Sequence, residues 1–184
     1  MALTTLSDSE LLVEFRNPVT KEKAFTSLIK KYQEKLYWHL RRMVVDHDDA
    51  NDVLQNVMIR IWNGLENFRE DSQLYTWLYR VATNECLTFL EQQKKRAAVS
   101  LSDMESGLEN KIKADQNFDG NKLEWKLQLG IQQLPEKQRI VFQLRYYDEM
   151  PYEEMSRVLE TSEGALKASY HHAVKKIEEY IKNH

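Results

Sequence analysis

The passage that most restricts the fold covers residues 151–177, Pro-Tyr-Glu-Glu-Met-Ser-Arg-Val-Leu-Glu-Thr-Ser-Glu-Gly-Ala-Leu-Lys-Ala-Ser-Tyr-His-His-Ala-Val-Lys-Lys-Ile. Two helical patterns sit here with almost no chain between them. Tyr152, Met155, Val158 and Leu159 recur at helical spacing and give the first segment one apolar face, while Pro151, Glu153 and Glu154 suit its opening turn. Ala165, Leu166, Tyr170, Ala173, Val174 and Ile177 do the same for the second segment. Ser162 is placed to cap that second helix, Glu163 complements the positive end of its dipole, and Gly164 is small enough for another chain to come close. The turn between the helices calls for a left-handed residue; Glu160 stands there instead of Gly or Asn, at a cost of roughly 1–2 kcal/mol. The outward face of the second helix carries Lys167, Ala168, His171, His172 and Lys175, small or polar groups able to reach base edges and phosphates from within a major groove. Periodicity alone is satisfied equally by a DNA-reading helix-turn-helix and by two helices of an ordinary bundle.

Five Gly and three Pro in 184 residues, beside abundant Leu, Glu, Lys and Gln, point to an all-α protein. A single cysteine, Cys86, excludes an internal disulfide and suits a reducing cytoplasm. No stretch approaches a membrane span, and the acids Asp8 and Glu10 do not fit a secretory signal, so a cytoplasmic location is expected. The formal net charge of -3 matters most. A free-standing DNA-binding protein draws affinity from an excess of Lys and Arg against phosphates. A chain without that excess must borrow its grip from something else if it reads DNA.

Along the chain, a short helix over residues 6–15 is expected to bury Leu11, Leu12 and Phe15, with Ser7 or Ser9 as cap and Asn17-Pro18 as stop. A second, over 21–45, carries the core stripe Phe25, Leu28, Ile29, Tyr32, Leu36, Tyr37 and Leu40, with Lys30, Lys31, Lys35, Arg41 and Arg42 on a solvated face. A third, capped by Asp46 or Asp48, spreads Ala50, Val53, Leu54, Val57, Met58, Ile61 and Trp62 over more than one side, a wider apolar surface than one packed face requires. That width suggests a partner-binding helix. A fourth, over 74–96, buries Trp77, Leu78, Val81, Ala82, Leu87 and Leu90 and leaves Tyr75, Tyr79, Arg80, Thr83, Asn84 and Lys94 to Arg96 outside. Aromatic rings beside cations suit single-stranded nucleic acid, although such residues are also common at the rim of a core. Residues 97–121 lose periodicity and read as a mobile, mildly acidic linker. A helix ending at Leu134-Pro135 follows, and then another from Glu136 with Ile140, Val141, Phe142, Leu144 and Tyr146 inside.

Four passages, in this order and spacing, resemble the extracytoplasmic-function group of bacterial sigma factors, within the sigma-70 family. They are 48–55 (Asp-Asp-Ala-Asn-Asp-Val-Leu-Gln) continuing to Ile61 and Trp62, 68–72 (Phe-Arg-Glu-Asp-Ser), 75–84 (Tyr-Thr-Trp-Leu-Tyr-Arg-Val-Ala-Thr-Asn), and 134–139 (Leu-Pro-Glu-Lys-Gln-Arg) continuing to Lys176. The resemblance implies two small helical domains joined by a flexible linker: a region 2-like domain over 1–97, the linker over 98–121, and a region 4-like helix-turn-helix domain over 122–184. It implies that Asp49, Asp52, Val53, Gln55, Asn56 and Ile59 dock on core RNA polymerase. Phe68, Arg69, Ser72, Thr76, Trp77, Arg80 and Asn84 are then expected to engage the minus-ten element of promoter DNA as its strands separate. Ser162, Gly164, Lys167, Ala168, His171, His172 and Lys175 are expected to read the minus-35 element. An anti-sigma factor is the further partner such proteins usually have.

Two departures stand out. The recognition face holds Ala168, Ser169, His171 and His172 where arginines are common, so fewer bidentate contacts to guanine are available and an A·T-rich or shape-read element is expected. Glu70 replaces a common Gly in the minus-ten loop. Adjacent His171 and His172 point about 100° apart on a helix and have no cysteine nearby, so no metal is expected. No cofactor, small-molecule substrate or catalytic residue is expected either, since nucleophile-base pairs, phosphate-cradling glycine loops and ligand clusters are missing from the sequence. Two other functions fit the same pattern less well: a stand-alone helix-turn-helix regulator, which needs the missing basic excess, and a protein-interaction adaptor that never touches DNA.

Overall fold

In the computed structural model, residues 6–97 and 122–184 are described; the expected linker, 98–121, lies outside them. All regular structure among the described residues is helical: α1 (Asp8–Arg16), α2 (Lys21–Val44), α3 (His47–Gly64), a short 3-10 turn (Leu65–Asn67), α4 (Leu74–Ala97), α5 (Lys122–Gln132), α6 (Glu136–Tyr146), α7 (Tyr152–Leu159) and α8 (Glu163–Asn183).

The helix starts follow from their caps. Ser7 accepts from the Glu10 amide while the Glu10 carboxylate reaches back to the Ser7 backbone, a closed capping box that holds the Glu10 carboxyl below its usual range. Asp46 accepts from the amides of Asp48 and Asp49 at the head of α3, at 3.0 and 3.2 Å. Ser162 takes the Ala165 amide at 3.3 Å and opens α8. The chain reverses after α2 at Val45 (φ 67) and after α7 at Glu160 (φ 51), the left-handed position that the sequence places there.

Helices α1 to α4 form one lobe and α5 to α8 the other. Leu11, Phe15, Leu28, Leu36, Val57, Ile61 and Leu78 pack the first lobe, and Phe15 meets the Trp62 ring edge-on at 5.4 Å. A smaller cluster of Ile131, Leu134, Phe142, Ala173 and Ile177 ties α8 to α5 and α6. The lobes are not separate beads. Ile140, Val141 and Leu144 of α6, Met150, and Met155 and Val158 of α7 belong to the same continuous apolar core as the first lobe.

That shared core changes several expected positions. Tyr79 and Thr83, expected outside, are 2% and 0% exposed because α4 packs under the second lobe. Arg42, expected on a solvated face, instead donates to Asp148 across the lobe boundary at 3.1 Å. Tyr146, expected inside, is half exposed with its ring stacked on Phe142 at 5.1 Å. Ala165 is exposed on the first turn of α8, which begins before the helix reaches its packed face. The wide apolar surface of α3 is spent within the lobe: Ala50, Val53, Leu54, Val57 and Ile61 are all buried.

Phe15 is fully enclosed, so Phe15→Ala is expected to cost about 3–5 kcal/mol, read as a lower urea midpoint. Cys86 is also sealed, and burial is the main reason its thiol is pushed up to about 12 from 9.0. Below pH 9 both folded and unfolded chains keep the proton; between 9 and about 12 the unfolded thiol ionises first, so stability falls as pH rises through that window. At mildly alkaline pH, iodoacetamide is expected to leave the folded chain unmodified and to label Cys86 rapidly once urea unfolds it.

Candidate nucleic-acid interface

Three surfaces carry the residues singled out in the sequence. On α3, Asp52, Gln55, Asn56 and Ile59 form an exposed strip, with Ile59 59% accessible. Asp49 borders it, half-buried and accepting from Gln93 Nε2 at 2.9 Å. Val53 does not belong to the strip. It points into the core and is fully buried, so it packs the helix and cannot touch a partner.

The second surface joins the loop 68–72 to one face of α4. Arg16 braces the loop, donating to the Phe68 carbonyl at 3.2 Å and to the Glu70 carboxylate at 3.0 Å. Glu70 lies at φ 60, in the left-handed region, which explains in backbone terms why a Gly suits this position. Phe68 is buried against Trp77, with ring centroids 5.3 Å apart, so its side chain supports the loop from beneath and leaves direct contacts to Arg69 and Ser72. Trp77 sits so close to Gly64 that a Cβ there would lie 3.1 Å from its ring. A small residue at 64 therefore sets the depth of the indole. Asn84 and Arg80 are exposed on the same helix.

This surface faces α7. The Thr76 hydroxyl donates to the Glu154 carboxylate, Arg80 pairs with Glu160, and Arg157 donates to the Asp71 carbonyl at 3.1 Å. Thr76 is consequently 1% exposed. An open cleft of about 390 Å³ separates the two faces, lined by Ser72, Trp77 and Arg80 on one side and Ser156 and Arg157 on the other. The acids of α7 fit the first turn of an ordinary helix, so nothing in their spacing marks it as a neighbour of α4.

The third surface is the outer face of α8. Lys167, Ala168, His171, His172 and Lys175 are all exposed, while Leu166, Ala173 and Ile177 hold the opposite face in the core. Gly164 has no neighbour within 4 Å of a built Cβ, so the head of the helix is open to a close approach. Lys167 lies over the Tyr152 ring at 5.6 Å, and Arg145 lies over the same ring at 5.1 Å. Among the described residues no group of three or more His, Cys, Asp or Glu side chains is arranged to hold a metal ion. No described helix is long and apolar enough to cross a membrane.

Comparison with known proteins follows the same division. Residues 28–96 match the model of Sigma-70 region 2, and residues 125–177 match that of Sigma-70, region 4. The chain is 32% identical over 155 residues to the RNA polymerase sigma-H factor of Pseudomonas aeruginosa, covering 80% of each. It is 32% identical over 157 residues to the ECF RNA polymerase sigma-E factor of Escherichia coli, covering 80% of this chain and 81% of that one.

The chain belongs to the sigma-70 family.

It is a promoter-directing sigma factor of the ECF type, a transcription initiation factor with core RNA polymerase and promoter DNA as its partners. Its fold resembles that of CnrH, solved in complex with the cytosolic domain of CnrY, with a TM-score of 0.68 at 18% identity over 94% of this chain and 96% of that one. It likewise resembles sigma factor RpoE from Bartonella quintana, solved with the anti-sigma factor NepR, with a TM-score of 0.68 at 17% identity over 87% of this chain and 98% of that one. The two lobes of this sigma factor correspond to the two matched regions, and the helix-turn-helix falls within the second.

Removing the cap at the head of α8 tests whether that helix depends on it. Ser162→Ala is expected to cost about 1 kcal/mol and to speed hydrogen exchange of the Ala165 amide, which Ser162 now holds.

Proposed function

We propose that this sigma factor divides its work among the three surfaces. The α3 strip of Asp52, Gln55, Asn56 and Ile59, with Asp49 at its edge, docks on core RNA polymerase. Arg69 and Ser72 of the loop, with Trp77, Arg80 and Asn84 of α4, engage the minus-ten element once its strands part; Phe68 and the buried Thr76 support this surface from within. The α8 face from Ser162 to Lys175 enters the major groove at the minus-35 element, where its short and imidazole side chains favour A·T-rich or shape-dependent contacts over bidentate guanine readout.

The observation that carries this reading is the state of α8. One face is built into the core, the other displays Lys167, Ala168, His171, His172 and Lys175 to solvent, and its capped N-terminus is unobstructed. A helix of this kind is suited to a groove. The net charge of -3 supports the division of labour, because phosphate attraction cannot supply most of the affinity and contacts to polymerase must. The protein is then a cytoplasmic specificity subunit with no chemistry of its own. Since the CnrH and RpoE structures were solved with CnrY and the anti-sigma factor NepR, an anti-sigma factor is proposed as a partner here too.

Reconstitution with purified core polymerase and run-off transcription on DNA selected by the holoenzyme test the whole assignment. Asp52→Arg combined with Gln55→Ala is expected to weaken core binding by roughly tenfold or more, about 1.4 kcal/mol per tenfold, with helical content unchanged by circular dichroism. Equal affinity would remove α3 from the docking surface. In the same assay, replacing both His171 and His172 by Ala is expected to reduce promoter selection without affecting core binding; undiminished selection would remove α8 from the readout.

A further inference from the structure

Glu70 holds a backbone conformation that an L residue enters only at a cost, in the middle of the loop proposed to read the minus-ten element. The Phe68 ring, set on Trp77, anchors the start of that loop. Arg16 anchors the rest from another helix. A single guanidinium nitrogen, Nη2, donates both to the Phe68 carbonyl and to the Glu70 carboxylate. These two acceptors flank Arg69, the exposed cation of the loop, so the backbone on either side of Arg69 is tied to one point on α1.

That point is itself well held. The capping box closes the head of α1, and at its foot the Thr20 hydroxyl donates to the Glu14 carbonyl at 2.8 Å. Leu11, Leu12 and Phe15 bury the inner face of the helix. Arg16 follows Phe15 directly, in the last turn, where a cation also suits the negative end of the dipole. Between α1 and the loop lies an open cleft of about 470 Å³, walled by Ser9 and Leu12 on one side and by Phe68, Glu70 and Ser72 on the other. The tether from Arg16 therefore sets how wide that cleft stands.

We propose that Arg16 is a positioning residue for minus-ten recognition, holding the loop through Glu70 so that Arg69 and Ser72 meet the DNA in one register. The proposal rests on the minus-ten reading of the loop given above. A Gly at position 70 would take the left-handed conformation unaided; here a strained residue and its tether do the same work. The tether also neutralises an acid that would otherwise face phosphate, and the two effects can be separated.

Holoenzyme reconstituted with purified core polymerase is assayed by single-round run-off transcription on a promoter selected by that holoenzyme, and on variants carrying each other base at each minus-ten position. Both side chains of the Arg16–Glu70 pair are about half exposed, so Arg16→Ala is expected to lower the preference for the selected sequence by up to about fivefold, with core binding unchanged. A residue with only a structural role would shift the thermal midpoint and leave base preference alone, a result that would overturn the proposal. Arg16→Ala/Glu70→Gly is expected to regain most of the preference, because Gly needs no tether. Arg16→Ala/Glu70→Gln, uncharged but still strained, is expected to stay as low as Arg16→Ala. Equal recovery in the two double variants would mean that charge alone matters, and the positioning role falls. It falls too if Arg16→Ala keeps full preference while Arg69→Ala flattens it. If Arg69→Ala also leaves preference intact, the minus-ten reading of the loop is itself wrong, and the role of Arg16 goes with it.

Discussion

A carboxylate that is taken out of water must find donors, and Asp148 finds three of them on the opposite lobe, in His39, Arg42 and Tyr79. Its side chain is 7% exposed, and His39, on the facing helix, is 1% exposed. Around this contact the apolar surfaces of α6 and α7 close over α2 and α4 to form one core. Removing the carboxylate strands donors that are themselves buried, at about 1–3 kcal/mol for each buried group left unsatisfied. Parting the lobes intact is a different process. Every partner then regains water, and the Coulombic gain of the pair is largely offset by the desolvation it no longer suffers. The contact thus selects one arrangement of the lobes more than it holds it, and the resistance to parting comes from the apolar surface that the two lobes bury together.

Much of the architecture could be read from residues alone because helices announce themselves locally. Of the alternatives Ser7 or Ser9 and Asp46 or Asp48, Ser7 and Asp46 are the caps, Ser162 caps α8 as expected, and Glu160 takes the left-handed turn between α7 and α8. These features depend on three or four neighbouring residues. The misreadings share the opposite character. The resemblance groups Val53 with the docking surface, whereas α2 and α4 cover that side of α3 and bury it. Tyr79 and Arg42 read as surface residues because Asp148, which engages both, lies more than sixty positions away, and Thr83 does so because its partner is His39 on another helix. Nothing in the spacing of Asp148, Glu154 and Glu160 distinguishes acids that cap or solvate a helix from acids aimed at another lobe.

Among the described residues the left-handed backbone positions belong to Val45, Glu70, Glu149 and Glu160, and none belongs to a glycine. Three of the four are glutamates at the loops where the lobes meet or where DNA is proposed to bind. Gly would remove the strain at each but also the carboxylate, and at Glu70 and Glu160 the carboxylate has a partner, Arg16 or Arg80. The glycines are used elsewhere for space: Gly64 beneath Trp77 and Gly164 at the open head of α8.

The isolation of Cys86 bears on what kinds of signal the molecule can register. A thiol sealed within α4, held in its protonated form and remote from solvent, supplies no thiolate to attack a peroxide or a disulfide. While the fold is intact this sulfur is no sensor of oxidants; it answers only to unfolding.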